Sequence, residues 1–198
     1  MTFIARSDDL RRENQRRILA ALRAESPLSR TELTAATGLS ASTVTAITSA
    51  LLVADYLVEA PRKDSGNGGD AGLLGRRGRP QVALALNPGA ASIGALTLTL
   101  NRLSAALVDY SGSVILEVVE KVDTLALARE EFGRRFVALL KRALDEAGSS
   151  AGPLRHIALT VQGVSDAKGT RIHWSPILTH RDLQIDDDLR DAFGTSVS

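Results

Sequence analysis

The segment at residues 29–54, SRTELTAATGLSASTVTAITSALLVA, constrains the fold more than any other part of the chain. Ser29 and Glu32 have the Ser-x-x-Glu spacing of a capping box, which predicts a helix beginning directly after Ser29. Gly38 can end that helix, because glycine adopts the left-handed conformation that a tight exit needs. Ser40 is a favoured N-cap for a further helix. Two short helices joined through a glycine-containing turn predict a helix-turn-helix.

The second helix of this motif, predicted over about 41–54, has two chemically different faces. Its predicted buried face is apolar, with the helical spacing i, i+3, i+7 of Val44, Ile47 and Leu51. Its opposite face presents small residues, namely Ser42, Thr45, Ala46 and Ser49. Residues 14–24 predict a preceding helix with an apolar stripe. A plain helical hairpin is the alternative, but the turn, the caps and the apolar stripe together favour a helix-turn-helix.

Two predicted strands follow the motif and enclose a glycine- and arginine-rich stretch. The segment DYLVEA predicts one strand. The segment QVALALN predicts its partner strand, because the larger apolar residues Val82, Leu84 and Leu86 occupy every second position. The loop between them, about 61–80, would be the wing of a winged helix. It contains LLGRRGRP, with three arginines at Arg76, Arg77 and Arg79.

Arginine fits the narrow, negative minor groove of A·T-rich DNA, and the Arg-Gly-Arg-Pro sequence resembles the core of an AT-hook. A solvated basic linker without a partner is the alternative. The position immediately after a helix-turn-helix favours DNA contact.

The charge distribution agrees with DNA binding by the N-terminal half of the chain. The net charge is only +1, but residues 1–85 carry 12 basic and 9 acidic residues, whereas residues 86–198 carry 12 and 14. The chain has no cysteine, which excludes disulfides and leaves only histidine and carboxylates as metal ligands. No apolar run approaches about 18 residues, and the N-terminus lacks a signal-peptide core. We therefore expect a cytoplasmic protein with no membrane partner.

The second half is predicted to contain four strands and two helices, as in an α/β domain. Strands are predicted at about 92–100, 103–110 and 113–121, with Leu96, Leu98 and Leu100 on one face. Thr124 is expected to cap a long helix that Gly148 ends. The buried stripe predicted for that helix consists of Phe132, Phe136, Leu139, Ala143 and Leu144. HIALTV predicts a further strand, and a short helix is predicted over 186–193.

Three segments together resemble the transcriptional regulators of the ROK family, a group that also contains sugar kinases. They are residues 10–59, then GRRGRPQVALALNPGAASIGA, then SAALVDYSGSVI. The join from Gly78 to Pro88, with Gly-Arg-Pro followed by Leu-Asn-Pro, is the most specific part. The resemblance implies a winged helix-turn-helix domain at 1–87, followed at 88–198 by a partial actin-like ATPase (ribonuclease H-like) lobe. It also implies a repressor of carbohydrate-related genes.

The segment ALTLTLNRLS departs from the kinases of that family. ROK kinases carry Asp-x-Gly-Gly-Thr between the first two strands, where backbone amides hold phosphate. Here Thr97 falls near the place of the aspartate, and Thr99 and Leu100 stand where glycines would be. The sequence therefore predicts no ATP binding at this loop and no enzyme activity. A catalytically dead relic of a sugar kinase remains an alternative.

The family's zinc and sugar sites would lie beyond residue 198, so no cofactor is predicted for this chain. The three histidines, His156, His173 and His180, do not reproduce the metal-binding spacing. His173 beside Trp174 could line a pocket, although such residues more often end a strand. Ile177 stands where the family usually has asparagine, which makes a sugar effector doubtful.

The predicted reading helix contains no Lys or Arg, and Ala41 and Ala46 stand where related repressors have basic residues. Bidentate readout of guanine from this helix is therefore excluded. We expect Ser42, Thr45, Ala46 and Ser49 to face the major groove. Phosphate contacts are assigned to Ser29, Thr31 and Thr43, minor-groove contacts to Arg77 and Arg79, and a backbone contact to Arg76. The expected partner is double-stranded DNA with an A·T-rich operator, bound by a homodimer. A truncated paralogue that pairs with a full-length regulator without binding DNA is the other alternative.

Overall fold

The computed structural model describes residues 7–61, 82–167, 169 and 171–198. The chain divides into two units, Met1–Asn87 and Pro88–Ser198. No single helix in these described ranges is long and apolar enough to cross a membrane; α2 (Arg30–Thr37) and α3 (Ala41–Val53) reach that length and apolarity only together, with a bend of 118° between them.

The first unit is built from three helices and a small antiparallel sheet. Its elements, in chain order, are α1 (Ser7–Ala24), β1 (Leu28–Ser29), α2, α3, β2 (Leu57–Ala60) and β3 (Ala83–Leu86). The sheet has the order β1-β3-β2. The helices α2 and α3 agree with the predicted helix-turn-helix, whereas α1 begins seven residues earlier than the sequence suggested. The two-residue strand β1 was not predicted.

The predicted caps of α2 and α3 are confirmed. The Ser29 hydroxyl accepts a hydrogen bond from the Glu32 amide (3.2 Å), and the Ser29 amide donates to the Glu32 carboxylate (2.7 Å). Gly38 has φ 69°, a left-handed conformation, and its amide donates to Thr34 O. The Ser40 hydroxyl accepts from the Thr43 amide at 3.2 Å. These short-range bonds fix both ends of the turn between the helices.

The core of the first unit joins all three helices to the sheet. The buried apolar residues that form it include Ile18, Leu22, Leu33, Val44, Leu51, Leu57, Leu84 and Leu86. The expectation that Val82 would point inward is wrong, because it precedes β3 and is 37% exposed. Ala83 is buried instead, next to buried Leu84. Neighbouring residues of β3 point to opposite faces of the sheet, and the burial of both Ala83 and Leu84 shows that both faces are covered at this point.

The second unit is a five-stranded mixed sheet with two helices and a small second sheet. Its strands are β4 (Ser92–Thr99), β5 (Arg102–Asp109), β6 (Val114–Lys121), β7 (Leu154–Val161), β8 (Val164–Ser165), β9 (Arg171–Trp174), β10 (Leu183–Gln184) and β11 (Ser196–Val197). Its helices are α4 (Arg129–Ala147) and α5 (Asp186–Phe193). The large sheet has the order β11-β7-β4-β5-β6, and the small one β10-β9-β8.

Helix α4 packs on the inward face of the large sheet. Leu96 and Leu98 of β4 are buried in the cluster that also contains Phe132, Phe136 and Leu140 of α4. Gly133 allows α5 to come close, because a Cβ at that position would meet the Asp188 carboxylate at 1.7 Å. The result is one continuous apolar core for this unit.

Two sequence predictions in this unit are wrong. Leu100 does not continue the buried face of β4: it is 55% exposed, because β4 ends at Thr99 and Leu100 lies in the turn to β5. Thr124 does not cap α4, which begins at Arg129. The Thr124 hydroxyl instead accepts from the Asn101 amide at 3.3 Å. Gly148 ends α4 with φ 51°, as predicted.

Candidate nucleic-acid interface

Helix α3 presents an exposed face of small residues and buries the opposite one. The four residues assigned to the major groove, Ser42, Thr45, Ala46 and Ser49, are all exposed. The buried residues on the other side are Val44, Ile47, Thr48 and Leu51. Because the side chains of these four residues are short, the helix backbone can approach a groove floor closely at this point. The contacts of the four exposed residues with DNA bases remain a prediction.

The beginning of α3 carries a cluster of three hydroxyl groups. Ser40 Oγ lies 2.9 Å from Ser42 Oγ and 2.8 Å from Thr43 Oγ1. Thr43 is partly buried, whereas Ser42 is exposed, as is Thr31 in the first turn of α2. A hydroxyl group can donate to a phosphate oxygen or a base edge and can accept as well. This cluster is neutral and polar, so it suits hydrogen bonding to DNA without adding charge.

Ser29 does not fit its predicted phosphate contact. It is only 2% exposed, and it lies in β1 as well as at the cap of α2. Its hydroxyl and its amide are both engaged with Glu32. We therefore assign Ser29 to the structure of the motif and leave Thr31 and Thr43 as the hydroxyl candidates for phosphate.

Replacing Ser29 with alanine should lower the free energy of unfolding by about 1 kcal/mol, because the helix loses its N-cap. Thr31→Ala is the matched control, since it removes an exposed hydroxyl from the same turn and should change stability by less than about 0.5 kcal/mol. Urea unfolding followed by circular dichroism measures both. Equal stability of the two variants would contradict this assignment of Ser29.

The described residues of the first unit do not carry a net positive charge. Helix α3 has no charged residue. Residues 7–61 hold six arginines and seven acidic residues, for a net charge of −1. Residues 62–81 hold five basic and two acidic residues, for a net charge of +3. The three predicted wing residues Arg76, Arg77 and Arg79 belong to this second group and lie outside the described residues.

The strands on either side of that stretch constrain where it starts and returns. Strands β2 and β3 are antiparallel, and Ala60 is paired with Ala83. The connection between them therefore leaves and re-enters the sheet at the same end. That is the topology expected of a wing between two hairpin strands.

Arg30 is a residue of this region that the sequence analysis did not select. Its Nε donates a hydrogen bond to Thr48 Oγ1 at 3.1 Å, from the first residue of α2 to the buried side of α3. The sequence held a partial signal, because a cation is unusual in the first turn of a helix. The link to Thr48 depends on how the two helices cross and could not be read from the spacing.

In the second unit, the connection between β4 and β5 is a two-residue turn. Thr99 pairs with Arg102, and Asn101 takes a left-handed conformation with φ 58°. The Asn101 amide donates to the Thr124 hydroxyl. Thr97 lies within β4 and pairs with Ser104. The backbone at this point is therefore occupied by strand pairing and a side-chain contact, with no glycine-lined loop for phosphate.

The three histidines each contact a different part of the second unit. His156 hydrogen-bonds to the hydroxyls of Ser196 and Ser198, and His180 Nε2 lies 2.9 Å from Leu127 O. In the described part of the chain, no three His, Cys, Asp or Glu residues are grouped so that they could hold a metal ion.

His173 Nδ1 lies 2.7 Å from the Asp182 carboxylate. This hydrogen bond holds the pKa of Asp182 below its ordinary value, with the nearby positive charges of Arg171 and Arg129 as smaller causes. Trp174 is 47% exposed at the end of β9, whereas Ile177 is buried.

Comparison with known proteins assigns the first unit to a class. Residues 11–58 match a family model described as winged helix-turn-helix DNA-binding. The first unit is thus a winged helix-turn-helix domain, and α3 is the helix that this class places in the major groove.

The fold of this chain is similar to that of part of a solved ROK family transcriptional regulator. The crystal structure of such a regulator, described as a homolog of the E. coli MLC protein, matches 95% of this chain with a TM-score of 0.67 and 19% identity. A ROK family glucokinase from Streptomyces griseus, in complex with glucose and AMPPNP, matches 54% of the chain with a TM-score of 0.46 and 15% identity. No curated protein sequence matches the chain.

The match to the regulator covers 45% of that protein, so this chain spans less than half of its length. The predicted fold class, a winged helix-turn-helix followed by the first lobe of a ROK domain, is confirmed.

Proposed function

We propose that this chain is a DNA-binding transcriptional regulator that represses carbohydrate-related genes and has no enzyme activity. The observation that carries the proposal is the winged helix-turn-helix match over residues 11–58, in which α3 exposes a face of small residues. The likeness to a solved ROK regulator supports the regulatory role. Such a protein acts in the cytoplasm, where its DNA is.

The exposed face of α3 favours close apolar and hydroxyl contacts over charged ones. The methyl groups of Thr45 and Ala46 can touch thymine methyls, and the hydroxyls of Ser42 and Ser49 can bond to base edges or phosphates. Such contacts give less discrimination than a bidentate arginine. An A·T-rich operator is the site that this chemistry fits best.

We assign the part of the affinity for DNA that α3 does not supply to the wing and to a second copy of the chain. Arg77 and Arg79 are proposed to enter the minor groove next to the α3 site, with Arg76 on the backbone. A single winged helix buries too little surface for tight specific binding, so we propose a homodimer on a two-fold symmetric site. No sugar effector is proposed for these residues.

A second candidate function, pairing with another regulator without DNA binding, is favoured by the absence of Lys and Arg from α3. A sugar kinase that binds ATP is disfavoured by the two-residue turn between β4 and β5, which gives phosphate no glycine loop. A catalytically dead relic is the form of this alternative that remains. Both alternatives predict no salt-dependent binding to duplex DNA.

Fluorescence anisotropy with labelled A·T-rich and G·C-rich duplexes of about 30 base pairs, three helical turns, tests the proposal. The full chain should prefer the A·T-rich duplex, and log affinity should fall linearly with log salt concentration with a slope of several units. Ala46→Glu should abolish this binding, because it replaces a methyl contact in the major groove with a carboxylate that the negative charge of DNA repels.

Ala138→Glu is the matched control, since it makes the same substitution at an exposed position of α4. It should bind like the unmodified chain. Absence of binding by the unmodified chain at low salt would remove the DNA-binding function and leave the pairing candidate.

A further inference from the structure

Arg30 connects the two helices of the DNA-binding motif. It is the first residue of α2, directly after the cap at Ser29. Its Nε donates to Thr48 Oγ1 at 3.1 Å, and Thr48 is fully buried on α3. The Thr48 hydroxyl in turn donates to Val44 O at 2.8 Å. The hydroxyl is thereby used as donor and acceptor at once, and the Arg30 side chain is held in one orientation.

The position of Arg30 is electrostatically unfavourable for a residue with only a structural task. The N-terminus of a helix carries partial positive charge and favours acidic residues. Among the residues that the structure describes, no carboxylate forms an ion pair with Arg30. By contrast, two arginines of α1 form ion pairs with Glu13. The Arg30 side chain is partly exposed. A cation that is fixed, unpaired and repelled by its own helix is suited to bind an anion.

We propose that Arg30 contacts a DNA phosphate with its terminal amino groups while its Nε holds α3 through Thr48. This inference rests on the proposed function and adds one residue to it. One planar guanidinium can bond to Thr48 and to a phosphate at the same time, because its five N–H donors point outward in a fixed fork. Because α3 itself has no charged residue, Arg30, which is hydrogen-bonded to Thr48 of α3, supplies a charged contact beside the reading helix.

The test measures affinity and its salt dependence for the full chain with the A·T-rich duplex of about 30 base pairs. Arg30→Ala should weaken binding about tenfold, the loss expected for one charge-assisted hydrogen bond. The slope of log affinity against log salt should become less negative by about one, because one phosphate contact is lost. Arg30→Lys should keep the slope but bind more weakly, since an ammonium cannot also hold Thr48.

Two controls separate contact from structure. Thr48→Val removes the link between the helices and the hydroxyl's bond to Val44 O within α3 but removes no charge, so it should weaken binding without changing the slope. Arg16→Ala removes an equal charge from the exposed side of α1 and should change neither quantity. Thermal unfolding by circular dichroism checks that each variant is folded.

A purely structural role for Arg30 would make Arg30→Ala match Thr48→Val, with the original slope, and that result would overturn the inference. If the unmodified chain binds with a steep salt dependence and Arg30→Ala leaves it unchanged, the inference fails while the proposed function stands. If the unmodified chain does not bind at all, the proposed function fails and the inference falls with it.

Discussion

The double variant Arg77→Ala, Arg79→Ala is expected to bind the A·T-rich duplex about 100-fold more weakly, a loss of about 2.7 kcal/mol, and to lose its preference over the G·C-rich duplex. The reason is the charge distribution. The described helices and strands of the first unit have a net charge of −1, and the excess of +3 lies in residues 62–81. Arginines in a narrow minor groove read its width and its negative potential, which are features of A·T-rich sequence. Anisotropy titrations with both duplexes measure the two effects.

A matched control comes from the same connection between β2 and β3. The double variant Arg62→Ala, Lys63→Ala removes two positive charges near its beginning, outside the Arg-Gly-Arg-Pro sequence. It should weaken binding to both duplexes by a similar factor and keep the preference for A·T. If the two double variants lose affinity equally and both keep the preference, the arginines act only as diffuse charge and the minor-groove assignment is wrong.

The contrast between Ser29 and Thr124 shows why some elements could be predicted from the sequence and others could not. Both are hydroxyl residues that precede a helix. Ser29 has its reciprocal partner Glu32 three residues later, so the cap is determined by the local sequence. Thr124 has Leu127 at that position, and its hydroxyl bonds to Asn101, which is 23 residues away. Contacts across such a distance depend on the tertiary fold and leave no local pattern.

The same distinction applies to the strands. The pattern of β4 predicted its buried face correctly as far as Leu98, but Leu100 lies in the turn, because the register with β5 sets where the strand ends. The two-residue strands β1, β8, β10 and β11 are too short to carry an alternation at all. Their existence follows from longer partner strands beside them.

For the candidate site, the sequence determined which side of α3 is exposed, because the helical period places Val44, Ile47 and Leu51 together. The sequence also assigned Ser29 to a phosphate contact. It could not show that Ser29 is buried, because this burial depends on the pairing of β1 with β3. It did not find Arg30, because the distance from its Nε to Thr48 Oγ1 results from the angle between two helices. Helix faces are local information, whereas contacts between helices are not.

Phe136→Ala is expected to lower the stability of the second unit by about 3–5 kcal/mol, which is a large part of the stability of an ordinary domain. Phe136 is fully buried in α4 and belongs to the cluster that contains Leu96, Leu98 and Leu140. Removing its ring takes away the apolar area that it buries and leaves a cavity between α4 and the sheet. The surrounding strands are held by hydrogen bonds and cannot collapse into that space.

Urea unfolding followed by tryptophan fluorescence measures this loss, because the chain has one tryptophan and Trp174 lies in the second unit. Val137→Ala is the matched control on the same helix. Its side chain is only partly buried, so the loss should be about 1 kcal/mol at about 25 cal/mol per Å² of apolar surface. A loss for Phe136→Ala no larger than that for Val137→Ala would mean that α4 does not pack on the sheet as described, and the fold of the second unit would need revision.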